Sequence, residues 1–330
     1  MSHETFMQHA IELAKRVDLS RDINPAVGSV VVDADGKIVG EGWHEGSGTL
    51  HAEMMAIKNA GDKARGATVY ITLEPCANVG KQGACTTGLI DAGVARVVYG
   101  QSDPNPRMSG GAQLLRDAGI DVTSGVLEAE CTQLNSSWTF AHTHGRPWVI
   151  WKTATTLDGF IAPKEKSRIQ ITCEESRVYV QQLRSRVGAV VTGTGTALID
   201  DPQLTVRELP DVDQPLRVVV GSRELPKSLQ LFAGVKPAIQ IATDLEHALQ
   251  FLWAEHGIHS ILLEAGQGLA SAAWSKDLVD EVYWFQAPKI LGDGLQAVGD
   301  FGLSSLDEAP RFSQVEVNRV GLDLLIHFLT

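Results

Sequence analysis

A chain of 330 residues, 44% hydrophobic and 21% charged, has room for two domains and the composition of a globular protein, not of a disordered or fibrous one. Its net charge of −12 argues against a general polynucleotide binder, which neutralises phosphates with a basic surface; a small anionic substrate needs only a few converging Lys or Arg residues. No apolar stretch is long enough to cross a bilayer and MSHETFMQHAIELAKRV lacks the basic start and apolar core of a signal peptide, so a cytoplasmic location with no membrane partner is expected.

In chain order, Phe6, Ala10, Leu13, Ala14 and Val17 fall on one face of a first helix. VGSVVVDADGKIVGEGW reads as two strands joined by a turn at Asp33–Gly36, and a helix runs from near Ala52 to Gly61. ATVYITL is a β-branched strand entering the loop EPCANVGKQGA; a short helix from Cys85 stops near Gly93. ARVVYG is the next strand and GAQLLRDAG a helix closed by Gly119. Strands alternating with helices make this part α/β. HTHGRPW, at 142–148, is poor in apolar residues and places a boundary between domains 1–145 and 146–330. A second α/β pattern follows: WVIWKTATTLDGFIA, then the strands GAVVTGTG, LRVVVG, AIQIAT, SILLEAG and EVYWFQAPKIL, and a closing hairpin QVEVNRVGLDLLIHFL.

Four residues of the first half form a chemical set: His51 and Glu53 at the start of LHAEMMAIK, Cys76 after Pro75 at a strand end, and Cys85 nine residues on, opening a helix. One imidazole and two thiolates match catalytic zinc, which uses three protein ligands and keeps a fourth position for water, whose pKa it lowers from ~15.7 to about 7. Glu53, beside the metal but not on it, can take the water proton and pass it to a leaving nitrogen. His51 and Cys85 both stand at expected helix N-termini, where the dipole favours negative ligands. Each feature alone has an ordinary reading: His51 as a helix cap, the cysteines as small buried residues. Together, H-x-E, then P-C, then a second Cys match the zinc deaminase signature, although eight residues separate the cysteines where two are usual.

That long spacing is informative. TLEPCANVGKQGACTTGLIDAGVARVVYG, NPAVGSVVV, VGEGWHEGSGTLHAE and SDPNPRMSGGAQLLRDAGIDV resemble the bifunctional deaminase–reductases of riboflavin biosynthesis. KTATTLDGFIA, LRSRVGAVVTGTGTALIDDPQLTVR, LLEAGQGLA and LVDEVYWFQAPKILG resemble the reductase half of the same family. The resemblance covers nearly the whole chain, with weak agreement across 225–258. It implies an α/β protein with a cytidine-deaminase-like αβα domain followed by a dihydrofolate-reductase-like domain. It also implies zinc and NADPH as cofactors, and homodimers formed through the reductase. The implied reactions are loss of the 2-amino group of 2,5-diamino-6-ribosylamino-4(3H)-pyrimidinone 5′-phosphate, then reduction of the ribosyl group to ribityl.

Carried over residue by residue, the resemblance puts Asn24, His44, Asp103 and Asn105 near the pyrimidine and Lys81 near its phosphate. In the second half Lys152 and Glu264 take orientation or proton supply, and Ser167, Arg184, Leu204 and Arg207 fall at substrate positions, the two arginines suiting a 5′-phosphate. Ala154, Gln170, Thr172, Gly193, Thr196, Asp200, Ser222 and Gly266 fall at cofactor positions. Without the resemblance, Asn24 and Asn105 are ordinary turn residues before Pro, His44 is an exposed strand residue, and the arginines are solvated charges. No G-x-G-x-x-G is present, so a Rossmann reading fails; Gly193, Gly195, Gly266 and Gly268 at strand ends let backbone approach a dinucleotide. Asp158 suits the fixing of a turn, and Cys131 and Cys173 lack ligand spacing and read as structural.

The chain departs from the family pattern at three places. Asn78 stands where the family has His, Gln82–Gly83–Ala84 where it has T-P-P, and Gln170 where it often has Trp. These leave open a different aminopyrimidine or pterin phosphate as substrate. The remaining alternative, one half acting as a noncatalytic scaffold, sits poorly with the intact His51–Glu53–Cys76–Cys85 set.

Overall fold

The computed structural model describes residues 2–17, 24–46, 48–78, 83–165, 169–207, 209, 212–234 and 236–330. Lys81, Gln82 and Ser167 lie outside the described residues. The chain divides into two units, Met1–His144 and Gly145–Thr330.

The first unit runs α1 (His3–Ala14), β1 (Gly28–Val32), β2 (Ile38–Trp43), α2 (Ala52–Ala60), β3 (Thr68–Leu73), α3 (Cys85–Asp91) and β4 (Arg96–Gln101). It ends with α4 (Gly111–Asp117), β5 (Asp121–Thr123), α5 (Glu128–Leu134) and α6 (Ser136–His144). The five strands form one sheet in the order β2-β1-β3-β4-β5. β1 pairs antiparallel with β2 and β3, and β3, β4 and β5 are parallel. Because side chains alternate across a strand, neighbouring residues feed opposite faces. Val31, Val69, Ile71 and Val97 pack with Ala56 of α2, Leu89 of α3 and Leu115 of α4. Val30, Val32, Tyr70 and Val98 pack with Phe6, Met7 and Ala10 of α1 and Cys131 of α5. The result is helix, sheet, helix. α2 lies so close on β2 that a Cβ at Gly42 would sit 2.2 Å from the Ala52 carbonyl oxygen. Only glycine permits that approach, which fixes where α2 begins.

The second unit runs β6 (Trp148–Thr156), β7 (Phe160–Ala162), α7 (Glu174–Ser185), β8 (Ala189–Gly193), α8 (Thr194–Asp200), β9 (Leu216–Val220) and β10 (Ile239–Ile241). It continues with α9 (Leu245–His256), β11 (Ser260–Leu263), α10 (Gln267–Ser275), β12 (Glu281–Ala287), β13 (Leu295–Gln296), β14 (Gln314–Val320) and β15 (Asp323–Leu329). Eight strands form a sheet in the order β10-β9-β8-β11-β6-β12-β15-β14, with the β14–β15 hairpin antiparallel at one edge; β7 and β13 make a small second sheet. Val149, Trp151, Val191 and Leu263 face α9 and α10, whereas Val190, Leu262 and Phe285 face Val180 and Leu183 of α7. Burial along nearly the whole of β8 and β9 explains their adjacent valines, with Thr192 and Arg217 as the polar exceptions. The chain passes β6 to β8 and returns through β11 between them, so a switch in strand order falls at the C-terminal ends of β8 and β11, where open α/β sheets bind ligands. Among the described residues, no helix is long and apolar enough to cross a membrane.

Candidate active sites and family

The first site gathers at the C-terminal end of β3. His51 is the residue before α2, in extended conformation, and Cys85 opens α3. Cys76 follows β3 by three residues, and its sulfur accepts the Cys85 backbone N–H at 3.3 Å. His51 Nδ1 lies 3.0 Å from Cys85 Sγ and 3.9 Å from Cys76 Sγ, and one ligand atom from each residue falls within 4.8 Å of the others. Ligand atoms around tetrahedral zinc stand roughly 3.5–3.8 Å apart, so the three fit one ion with little adjustment. Hydrogen bonding from the Cys85 thiol, and then from His51, holds Cys76 as a thiolate; that bond and burial push Cys85 the opposite way. Both thiols must be deprotonated to ligate, so binding of a dication would release protons from the pair.

Glu53, on the first turn of α2, is 4% exposed, and burial raises its carboxyl pKa against the pull of His51 and Cys85. His44 is buried just after β2, unlike the exposed strand residue that isolated reading gives. Its Nε2 is 3.3 Å from Asn24 Nδ2 and its ring meets His51 edge-on at 5.7 Å. Asp103 and Asn105 lie beyond β4, with the Asp103 carboxylate accepting the Asn105 N–H at 2.8 Å. Burial raises the Asp103 pKa to about 6.

The second site is a cavity of about 520 Å³, within the usual range for small-molecule sites. Lys152 and Ala154 reach it from β6, Thr196 and Asp200 from α8, and Glu264 and Gly266 from the stretch between β11 and α10. Gln170 and Thr172 supply a wall from the segment before α7. Thr196 Oγ1 accepts the Gly266 N–H at 3.1 Å, tying two of these stretches together. A Cβ at Gly195 or Gly268 would meet nothing within 4 Å, so backbone there is open to close approach by a dinucleotide. Burial lowers the pKa of Lys152 despite the neighbouring Glu264.

Arg184 and Glu264, 80 residues apart, form a two-point ion pair at 2.6 and 3.0 Å, and Arg184 also donates to the Thr205 carbonyl at 3.0 Å. Burial alone would raise Glu264, but Arg184 and Lys152 outweigh it and keep the carboxylate ionised. Arg184 thus faces a second cavity of about 100 Å³, shared with Leu204 and Arg207, while its partner faces the large one. Gly193 directly precedes α8 and Ser222 is exposed after β9; neither lines the large cavity. Arg177 of α7 does line it and was not anticipated; in the amphipathic stretch EESRVYV nothing separates it from a solvated helix charge.

Residues 147–326 match the RibD C-terminal domain, and residues 1–101 match the cytidine and deoxycytidylate deaminase zinc-binding region. The riboflavin biosynthesis protein RibD of Aquifex aeolicus is 38% identical, over 98% of both chains, and that of Escherichia coli 37% identical over 100% of both. The solved RibD of Acinetobacter baumannii has a TM-score of 0.90 at 36% identity, covering 99% of this chain and 98% of that one. A diaminohydroxyphosphoribosylaminopyrimidine deaminase/5-amino-6-(5-phosphoribosylamino)uracil reductase from Thermotoga maritima has a TM-score of 0.84 at 37% identity, with the same coverage. With a zinc-type triad at the end of β3, a second cavity at the switch point of the larger sheet, and full-length likeness at this level, the chain belongs to the RibD family of bifunctional riboflavin-biosynthesis deaminase–reductases.

Proposed function

We propose that the first unit deaminates 2,5-diamino-6-ribosylamino-4(3H)-pyrimidinone 5′-phosphate and that the second reduces the ribose of the product to ribityl with NADPH. The observation that carries this reading is the convergence of His51, Cys76 and Cys85 beside the buried Glu53. A zinc ion held by that triad supplies the Lewis acidity that makes water a nucleophile near neutral pH. The Glu53 carboxylate takes the proton from water as the C–O bond forms, then gives it to the 2-amino nitrogen as the C–N bond breaks and ammonia leaves. Asn24, His44, Asp103 and Asn105 orient the ring and ribose, and Lys81 meets the phosphate.

NADPH bound in the second unit would supply a hydride for C1′ of the opened ribose. Lys152, a stronger acid than a solvated lysine, delivers a proton to the imine nitrogen. Glu264 holds Arg184, and with Leu204, Arg207 and Ser167 these residues seat the substrate. Ala154, Gln170, Thr172, Thr196, Asp200 and Gly266 line the cofactor's side, with Gly193 and Ser222 at its margin. The same reading gives a cytoplasmic homodimer joined through the reductase half, without a nucleic-acid partner; the net charge of −12 supports the last point.

Product identification tests the reading. Without NADPH, the pyrimidine phosphate should yield ammonia and the deaminated ribosylamino compound; with NADPH it should yield 5-amino-6-ribitylamino-uracil 5′-phosphate. Absence of turnover of that pyrimidine contradicts it.

A further inference from the structure

Glu74 is a buried carboxylate, 8% exposed, that the mechanism above does not use. It follows β3, two residues before Cys76, and accepts three backbone N–H bonds from one distant stretch of chain. Oε2 takes the N–H of Asp103 at 3.2 Å; Oε1 takes those of Gly110 at 3.2 Å and Ala112 at 3.0 Å. Two further bonds join the same pair of loops: the Ala77 N–H donates to the Met108 carbonyl at 2.9 Å, and the Asn78 side-chain amide donates to the Arg107 carbonyl. Contact is close enough that a Cβ at Gly111 would sit 1.8 Å from the Pro75 carbonyl oxygen. Within the held segment, Asp103 accepts the Asn105 N–H and Asn105 accepts the Arg107 N–H.

We infer that Glu74 is a positioning residue of the deaminase: it clamps segment 103–112 onto the metal-ligand loop and so sets where Asp103 and Asn105 meet the pyrimidine. Asn78 belongs to this clamp, its amide spent on the Arg107 carbonyl. The inference rests on the substrate role given above to Asp103 and Asn105. A glutamine at 74 keeps the shape but offers one acceptor oxygen; with that oxygen on Gly110 and Ala112, its NH2 faces the Asp103 N–H and repels it. The lesion then falls on the Asp103 end of the segment.

The test is steady-state deamination of the pyrimidine phosphate by the full-length enzyme carrying Glu74→Gln, Asn105→Ala or both, with zinc content and NADPH-dependent reduction measured on each sample. Glu74→Gln should keep about one zinc per chain and an unchanged reductase rate. Its deaminase kcat/KM should fall about 10- to 100-fold, mostly through KM, because a displacement of about 1 Å is that costly. The double variant should be no worse than about 3-fold below the more defective single variant, since both act on one contact set. Loss of zinc with Glu74→Gln, wild-type deamination by it, or fully additive losses would overturn the clamp. A defective Asn105→Ala beside a wild-type Glu74→Gln removes the clamp alone, whereas a silent Asn105→Ala removes the substrate role on which it stands.

Discussion

The two sites are built in contrasting ways. The deaminase site draws its triad and Glu53 from 35 residues of chain, 51–85, off three neighbouring elements, and its residue types are uncommon. The reductase cavity draws on β6, the segment before α7, α8 and the turn after β11, spread over residues 152–266. Its members are ordinary Lys, Thr, Asp, Glu and Gly. Metal chemistry demands particular ligand atoms at particular distances, so it leaves a mark in spacing. Hydride transfer demands placement of a cofactor that brings its own chemistry, and many side chains serve for that.

The contrast can be broken by attacking each half separately. The largest effect is expected from Glu53→Gln, with deamination reduced on the order of 10³-fold or more, zinc retained, and reduction of pre-deaminated substrate unchanged. Ammonia release and NADPH oxidation measured on one preparation check this; a fall in both rates would show that the halves are not chemically separate. Removal of zinc by a chelator should reproduce that pattern, abolishing ammonia release while leaving NADPH oxidation intact.

Legibility in the sequence followed the same divide. The β1–β2 hairpin and the start of α2 at Ala52 were readable because the β-branched run of β1, Gly36 and the HAE step are local signals. α6 was not: it runs to His144, into the stretch where low apolar content placed a domain boundary, because Trp138 and Ala141 are buried and His142 packs edge-on against Trp138. The Arg184–Glu264 pair was invisible because 80 residues separate its members and only the fold brings β11 beside α7. Nor did the sequence show that Glu264 and the Thr205 carbonyl share the Arg184 guanidinium.

That pair gives the next prediction. Arg184→Met should destabilise the second unit by about 1.5–3 kcal/mol, since it removes the two-point partner of a largely buried carboxylate and leaves Lys152 as its nearest cation, and should be partly repaired by adding Glu264→Gln. Denaturant unfolding followed by tryptophan fluorescence reports it; a change below about 1 kcal/mol would make the pair dispensable to the fold.

The smallest expected effect concerns the turn after β6. The Thr156 hydroxyl first, and then the N–H groups of Gly292 and Leu291 that Asp158 accepts, hold its pKa at about 2, below the ordinary 3.8. A depressed folded-state pKa contributes stability above the unfolded value and loses it as pH falls through the folded one. Asp158→Asn should therefore lower the urea midpoint at pH 7, and the gap from wild type should close between about pH 4 and pH 2. A gap independent of pH would assign Asp158 a role other than accepting these bonds as a carboxylate.

The central claim is that His51, Cys76 and Cys85 hold a single zinc ion and leave room for one more ligand. X-ray absorption at the zinc edge of the purified protein addresses it directly. The account predicts about one zinc per chain with two sulfur neighbours at about 2.3 Å and two nitrogen or oxygen neighbours at about 2.0–2.1 Å. A metal-free protein that still releases ammonia, or zinc without sulfur in its shell, would contradict it.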